Sequence, residues 1–519
     1  SVGAVAVLTG FFVSQAFAGA FYTTHDGRMI ASLVEPFGAF AAMTAVLEWT
    51  PYERNTLIVF AQGFIGHNRA LWVVAGVVLL GLAYWRFPFQ TVGRGSARKQ
   101  SSQAVAATDA RRLLTLTTSA PRGINGFQQL ARLSAFEFSR VMRSMPLLII
   151  VTLSCAALML WAFMYGRAYG TGFYPYTGQM AQHLNSVFQV PLVAVVVFYA
   201  ADLTWAARGC HADEIIDACP VSSAVLFLSK LITLLGVVFT ALLCGVAAAV
   251  AYQLYRGFVA IEPGVYAVQV FVVMLPYFMV MSAFALVLQA VIPYRYAAML
   301  PMVMLYVFTL LAPEMGVSSN LLIPGGRHAM HYNALAGFGH YLEPIAWFHA
   351  YWLLVAGLLC LLGFAAWPRG MQADSAARLR SIQKALCHRP VVYAAGVFIV
   401  ALCCVGSMIA YSTMARHPFT TDAQREIQAA AYERRYSKLR ELPQPDIEHV
   451  RGELHLFPRT RHLAFSGDYR LTNDHNKPVE RVVLTARPGT RFSSITTPRP
   501  ASLERDREHG TAQLRLASP

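Results

Sequence analysis

The chain has 519 residues, a net charge of +15, 56% hydrophobic residues and only 13% charged ones, where a typical soluble domain carries about 25% charge. That composition excludes an ordinary soluble enzyme. The charge is also unevenly spread: residues 1–411 hold 24 Lys/Arg and 14 Asp/Glu, and residues 412–519 hold 18 and 13, which predicts a lipid-embedded region followed by a water-exposed domain.

In chain order, apolar runs of spanning or near-spanning length fall at residues 2–22, 70–85, 147–165, 186–205, 226–255, 264–290, 297–312, 344–367 and 390–411, predicting nine spans. The apolar pieces 36–47 and 56–66 are too short to cross at about 1.5 Å per residue and are interrupted by Glu48, Glu53 and Arg54. They are expected to form a re-entrant or interfacial hairpin. Residues 91–126, rich in Ser, Thr, Ala and Arg, read as a flexible linker. After it, Leu130, Leu133, Phe136, Phe138 and Val141 alternate with Arg132, Glu137, Arg140 and Arg143, the pattern of an amphipathic helix on a leaflet surface.

With residue 1 on the cytoplasmic side, inside loops carry 18 Lys/Arg and outside loops six. The positive-inside rule favours that orientation and leaves residues 412–519 outside the cytoplasm. The same rule explains the net positive charge, so no nucleic-acid partner is expected. The partner it implies is the lipid bilayer.

A weak repeat relates Arg69-Ala-Leu-Trp72, with Trp85-Arg86 at the end of its run, to Trp347 and Trp352, with Trp367-Pro-Arg369 at the end of theirs. Two such units suggest duplicated halves. The expected fold class is an α-helical polytopic membrane protein of two pseudo-repeated halves, the first incomplete, with a C-terminal extracytoplasmic β-rich domain. The corresponding division is 1–90 for the last two spans and re-entrant segment of a first half, 91–126 for the linker and 127–370 for a second, six-span half. Residues 371–411 then form a basic linker and ninth span, and 412–519 the β-domain. The opening at Ser1 without methionine and the close at Pro519 in a strand-like stretch suggest a piece of a longer polypeptide.

Within the membrane region the segment 208–223 stands out. Asp213, Glu214 and Asp217 surround Ile215 and Ile216 in a short helical stretch, and Pro220 and Val221 end it. Such a loop suits either a docking knob for a partner or a plain solvated connector. The segment 213–222, followed by Leu228-Ser-Lys230, resembles the coupling-helix region of type-2 ABC transporter permeases, with Val221 where the family has a small residue. Tyr52-Glu-Arg-Asn55 and Asn68-Arg-Ala-Leu-Trp72 resemble the end of the first half in bacterial permeases fused to an aminopeptidase.

Past the last span, Tyr436-Ser-Lys-Leu-Arg440, Leu442-Pro-Gln-Pro445, Leu456-Phe-Pro-Arg-Thr460 and Gly467-Asp-Tyr-Arg-Leu-Thr-Asn473 are similar to the linker and first strands of an aminopeptidase N-like zinc metallopeptidase. Alternation at Leu454/Leu456, Tyr469/Leu471 and Val482/Leu484 independently predicts strands.

The resemblance implies a permease subunit of an ATP-driven exporter in the bacterial inner membrane. A separate cytoplasmic ABC ATPase would engage residues 213–217, 220 and 221, and the cargo would be peptide or lipid-like. This chain has neither the H-E-x-x-H zinc motif nor a phosphate-binding G-x-x-x-x-G-K-[ST] loop. No cofactor is therefore expected in it: ATP belongs to the partner, zinc to a further peptidase domain. A membrane-anchored zinc aminopeptidase is the alternative. His328, His331 and His340 share one loop, and Asp202 and the intraspan prolines Pro191, Pro276 and Pro301 are read as helix-end or packing features.

Overall fold

The computed structural model describes residues 25–47, 49, 57–58, 63–86, 125–326, 332–367, 380–416 and 421–517, apart from short gaps of one to three residues. It divides into two units, Ser1–Ala312 with Ser319–Arg416, and Pro313–Ser318 with His417–Pro519.

The first unit is helical. Its elements are α1 (His25–Val34), α2 (Ala39–Val46), α3 (Gly63–Arg86), α4 (Gly126–Met142), α5 (Met145–Tyr165), α6 (Thr177–Gly209), α7 (Asp213–Ala218), α8 (Ser223–Tyr255), α9 (Pro263–Val291), α10 (Arg295–Leu311), α11 (Gly339–Ala365) and α12 (Arg389–Ala410). Between α5 and α6 lies a minimal β1–β2 pair, Arg167–Ala168 with Thr171–Gly172.

Among the described residues seven helices, namely α3, α5, α6, α8, α9, α11 and α12, are long and apolar enough to cross a bilayer. By length and composition this is a polytopic helical membrane protein. The expected run 2–22 lies outside the described residues. The run 297–312 forms α10, whose 17 residues reach about 25 Å, short of a hydrocarbon core of about 30 Å.

Three helices make the core. Phe188 and Leu192 of α6, Phe227, Leu234 and Leu242 of α8, and Met274, Phe278 and Met281 of α9 are almost completely buried together. Gly245 of α8 sits where a Cβ would lie 2.5 Å from Leu184 Cδ1 and 2.8 Å from Phe188 Cζ of α6. Only a residue without a side chain lets these helices approach so closely. Around the trio, α5 packs on α6 and α8, α10 on α6 and α9, α4 on α8, α11 on α9, and α12 on α11. Windows of α6 and α9 are 67% and 61% buried in the protein and those of α3 and α12 only 6%, so the latter two present apolar side chains almost wholly outward.

Helix α9 is irregular in its middle, being π-helical over Val268–Met274 and α-helical from Leu275 onward. Pro276 brings no N–H to this turn, and His349 of α11, itself buried, hydrogen-bonds the backbone of Val272. A histidine thereby serves a backbone group that water cannot reach.

Of the hairpin anticipated at 36–47 and 56–66, most of the second limb lies outside the described residues. The observed helical pair is α1 with α2, and Gly63 already belongs to α3, because Pro36 and Gly38, the latter at φ 75°, reverse the chain between Val34 and Ala39. The Glu35 carboxylate accepts the N–H groups of Phe37 and Ala39 within that reversal.

The second unit carries α13 (Asp422–Tyr436), opened by a reciprocal Thr421/Gln424 capping box. There follow β3 (Asp446–Phe457), β4 (His462–Thr472), β5 (Arg481–Thr485), β6 (Ala501–Asp506) and β7 (Thr511–Leu516). β3 and β4 form an antiparallel ribbon, and the other three form a sheet of order β5-β7-β6. Register in the ribbon puts Val450, Leu454 and Leu456 opposite Tyr469, Phe465 and Leu463 on one face, while Arg451/Asp468 and Glu453/Ser466 share the other. The β5-β7-β6 sheet closes over Val479, Val482 and Leu514. The helix α13 was not legible as such in the segment read as a linker.

Asp506 ties α13 to that sheet. Its carboxylate accepts the Tyr436 hydroxyl and the N–H groups of Glu508 and His509, and meets Arg435 Nη1 at 3.2 Å and His509 Nδ1 at 3.0 Å. The Tyr436 bond foremost holds the carboxyl down at about 2, while burial and this same partner push the tyrosine up to about 12. Because the folded value is depressed, the stabilisation is complete above the ordinary carboxyl range near ~4 and disappears as pH falls through about 2. Tyr436→Phe is expected to speed amide exchange in β6 and β7 at pH 7, and the difference from the parent protein to narrow between pH 4 and 2. Hydrogen exchange corrected for intrinsic pH dependence reads this, and a constant difference over that range would refute the linkage.

Candidate functional site: the α6–α7–α8 turn

α6 and α8 each have 33 residues, where about 20 suffice to cross a bilayer. They overshoot, and the short α7 bridges their ends. Its geometry follows from the local sequence. Ala212 donates its N–H to Ala207 O at 2.9 Å, and Ile216 donates to Ala212 O at 3.1 Å, starting the helix without a side-chain cap. Cys219 is extended and Pro220 stops the turn. The Ser222 hydroxyl then caps α8 by accepting Val225 N–H at 3.3 Å. Pro220 thus works as a stop and Ser222 as a start, with Val221 between them under no demand for a small side chain.

The faces of α7 are unequal. Ile215 is 72% and Ile216 38% exposed, an unusual placement for two β-branched apolar residues on a helix of six. Asp213 and Asp217, one helical turn apart, are half-buried, and both act electrostatically on Arg208 near the end of α6. The guanidinium of Arg208 in turn lies 4.8 Å above the Trp205 ring. Two of the three acids singled out in the sequence therefore hold α7 to its own stem, and the outward feature is the isoleucine pair. The side chain of Glu214 lies outside the described residues.

Beneath α7 the helix ends are joined by polar side chains. Trp205 Nε1 donates to Gln289 Oε1 of α9 at 2.8 Å. Asp202 meets Arg295 of α10 at 3.3 Å and Arg140 of α4 at 3.6 Å. It is a helix-end residue shared between two arginines. Deeper, Lys230 Nζ of α8 is 2.7 Å from Glu137 Oε1 of α4 and 5.6 Å from the Trp367 ring centre, with both charged side chains nine-tenths buried. Thr233 Oγ1 donates to Ser134 O nearby. The amphipathic α4 therefore turns Ser134, Glu137 and Val141 inward onto α8, and Phe127 and Phe136 remain outside. None of these partners could be paired from the sequence, because they lie 62 to 137 positions apart; the only signal was the rarity of charge in the region.

The opposite end of the bundle is closed mainly by amide and hydroxyl groups, with the Glu262 carboxylate among them. Gln253 donates to Pro175 O at 2.8 Å and Thr177 Oγ1 at 3.3 Å, Tyr266 donates to Gln253 Oε1, and Tyr332 donates to Glu262 Oε2 at 3.0 Å. The Asn68-Arg69-Trp72 motif of α3 is a clamp on the α1–α2 reversal. Asn68 Nδ2 donates to Ser32 O and Glu35 O at 2.8 and 2.7 Å, Arg69 Nη2 to Phe37 O at 2.7 Å, and Trp72 Nε1 to Leu33 O at 3.0 Å. The companion motif 52–55 lies outside the described residues.

His328 and His331 also fall outside the described residues, as does the His340 side chain. Among the described residues no group of three or more His, Cys, Asp and Glu could hold a metal ion. No protein-family model, curated protein or solved structure matches the chain.

The buried pair makes a sharp prediction. Lys230→Met strands Glu137 without its counter-charge and is expected to cost about 3–5 kcal/mol, whereas Lys230→Met combined with Glu137→Met removes both charges and recovers most of that loss. Thermal unfolding in detergent reads both variants, and equal loss in the two would refute the pairing argument.

Proposed function

We propose that this chain is a permease subunit of an ATP-driven type-2 ABC transporter, an exporter of peptide or lipid-like cargo. Its C-terminal unit would be the beginning of an aminopeptidase-like region. One observation carries the reading. α7 is a short helix mounted on two helices longer than a bilayer is thick, braced from below by Arg208 and presenting Ile215 and Ile216 to solvent. A braced apolar knob at the end of two spans is what a docked motor needs in order to push on them.

In this reading the α7 end faces the cytoplasm of a bacterial inner membrane and the C-terminal unit lies on the other side, as the 18-to-6 division of Lys/Arg supports. The ATPase is a separate polypeptide that brings the nucleotide, and its closure moves the paired halves so that cargo passes between them. Zinc chemistry would belong to a further peptidase domain.

The test is a pull-down of the full-length protein in mild detergent, with mass spectrometry of whatever copurifies. A nucleotide-binding subunit is expected with the parent protein. It should be lost when Asp213, Glu214 and Asp217 are changed to Lys, and also with Ile215→Asp combined with Ile216→Asp. No such subunit in any sample would overturn the transporter reading in favour of a membrane-anchored peptidase.

A further inference from the structure

We propose that Asp202 is the positioning residue that makes α10 and α4 follow any displacement of α7. The inference rests on the transporter reading and deepens it by naming how force leaves the docking turn.

Asp202 lies two helical turns before the end of α6, on the stem that carries α7. Its two carboxylate oxygens are divided between two helices: Oδ1 takes Arg295 Nη2 at 3.3 Å and Oδ2 takes Arg140 Nη2 at 3.6 Å. Arg295 is the first residue of α10, and its Nε is buried without a hydrogen-bond partner among the described residues. The Asp202 carboxylate is thus the charge that orients this guanidinium. A second link runs in parallel, because Gln289 receives Trp205 Nε1 and donates at 3.5 Å to Arg295 O. Among the described elements α10 packs chiefly against α6 and α9, and its start is fastened to α6 through a side chain of that same stem.

The exposure of these groups separates a coupling role from a stabilising one. The Asp202, Arg295 and Arg140 side chains are 33%, 30% and 40% exposed, and ion pairs so open to solvent contribute little to folding. Their geometry joins three helices across one carboxylate. Removing the charge should therefore leave the fold and the α7 surface intact while α10 loses its ionic tie to the stem and keeps only the Gln289 link.

The experiment uses the full chain with its copurified ATPase in lipid nanodiscs, reading hydrogen exchange over residues 294–300 with and without ATP plus vanadate. In the parent protein, trapping the nucleotide is expected to change exchange there at least fivefold. Asp202→Asn should keep the ATPase bound and the melting temperature unchanged but clearly reduce that response, the Gln289 link remaining. Asp202→Glu should restore it, and Asp202→Asn with Arg295→Gln should be no worse than either alone, as for two partners of one interaction. A retained ATPase with an unchanged response in Asp202→Asn overturns this inference while leaving the transporter reading standing. Absence of any ATPase from the parent protein overturns that reading, and the coupling role with it.

Discussion

A hydrocarbon core offers no water to hydrogen-bond, and that constraint orders the whole first unit. Polar side chains are collected at the two ends of the α6–α8–α9 trio, and what stays between them is apolar and close-packed. Some polar groups that remain inside have partners, as Lys230 has Glu137 and Val272 has His349, whereas Ser134 Oγ and Ser282 Oγ are buried with no hydrogen-bond partner among the described residues. At Gly245 the absent Cβ leaves room for the Leu184 and Phe188 side chains of α6 against α8.

The two ends then acquire different characters. One is built mainly from amide and hydroxyl groups, Gln253, Tyr266 and Thr177, beside the Glu262 carboxylate. The other is charged, joined through Asp202, Arg295 and Arg140, and carries α7 above it. Charged links this open to solvent contribute little to stability. The acids of α7 belong to this second system, since Asp213 and Asp217 act on Arg208. The sequence singled out acids and isoleucines together, and among their described side chains Ile215 and Ile216 are the exposed ones.

The apolar runs of α5, α8, α9, α11 and α12 were readable to within a few residues because hydropathy and span length are local properties. α6 was not: its polar first turns, from Thr177 to Gln189, carry no hydropathic signal, yet packing against α8 and α9 keeps them helical. Pro220 and the acidic cluster marked α7 before any coordinates. The neighbours of Asp202 could not be read in that way, since a chain folded antiparallel brings residues 140, 202 and 295 together only through the packing of whole helices. In the C-terminal unit the alternation at β3, β4 and β5 was plain, whereas α13 was hidden in a polar stretch whose helical character depends on a capping box and on the grip of Asp506.

The π-helical stretch of α9 carries a lesson about descent. A π turn holds one more residue than the α turn it interrupts, so Val268–Met274 has the form that a single-residue insertion leaves in a helix that refuses to break. Val270 and Met274 within the stretch, and Phe278 and Met281 after it, belong to one buried apolar cluster. A relative without that insertion would be one residue shorter between Pro263 and Val291, and would match this span only if a gap were placed inside it.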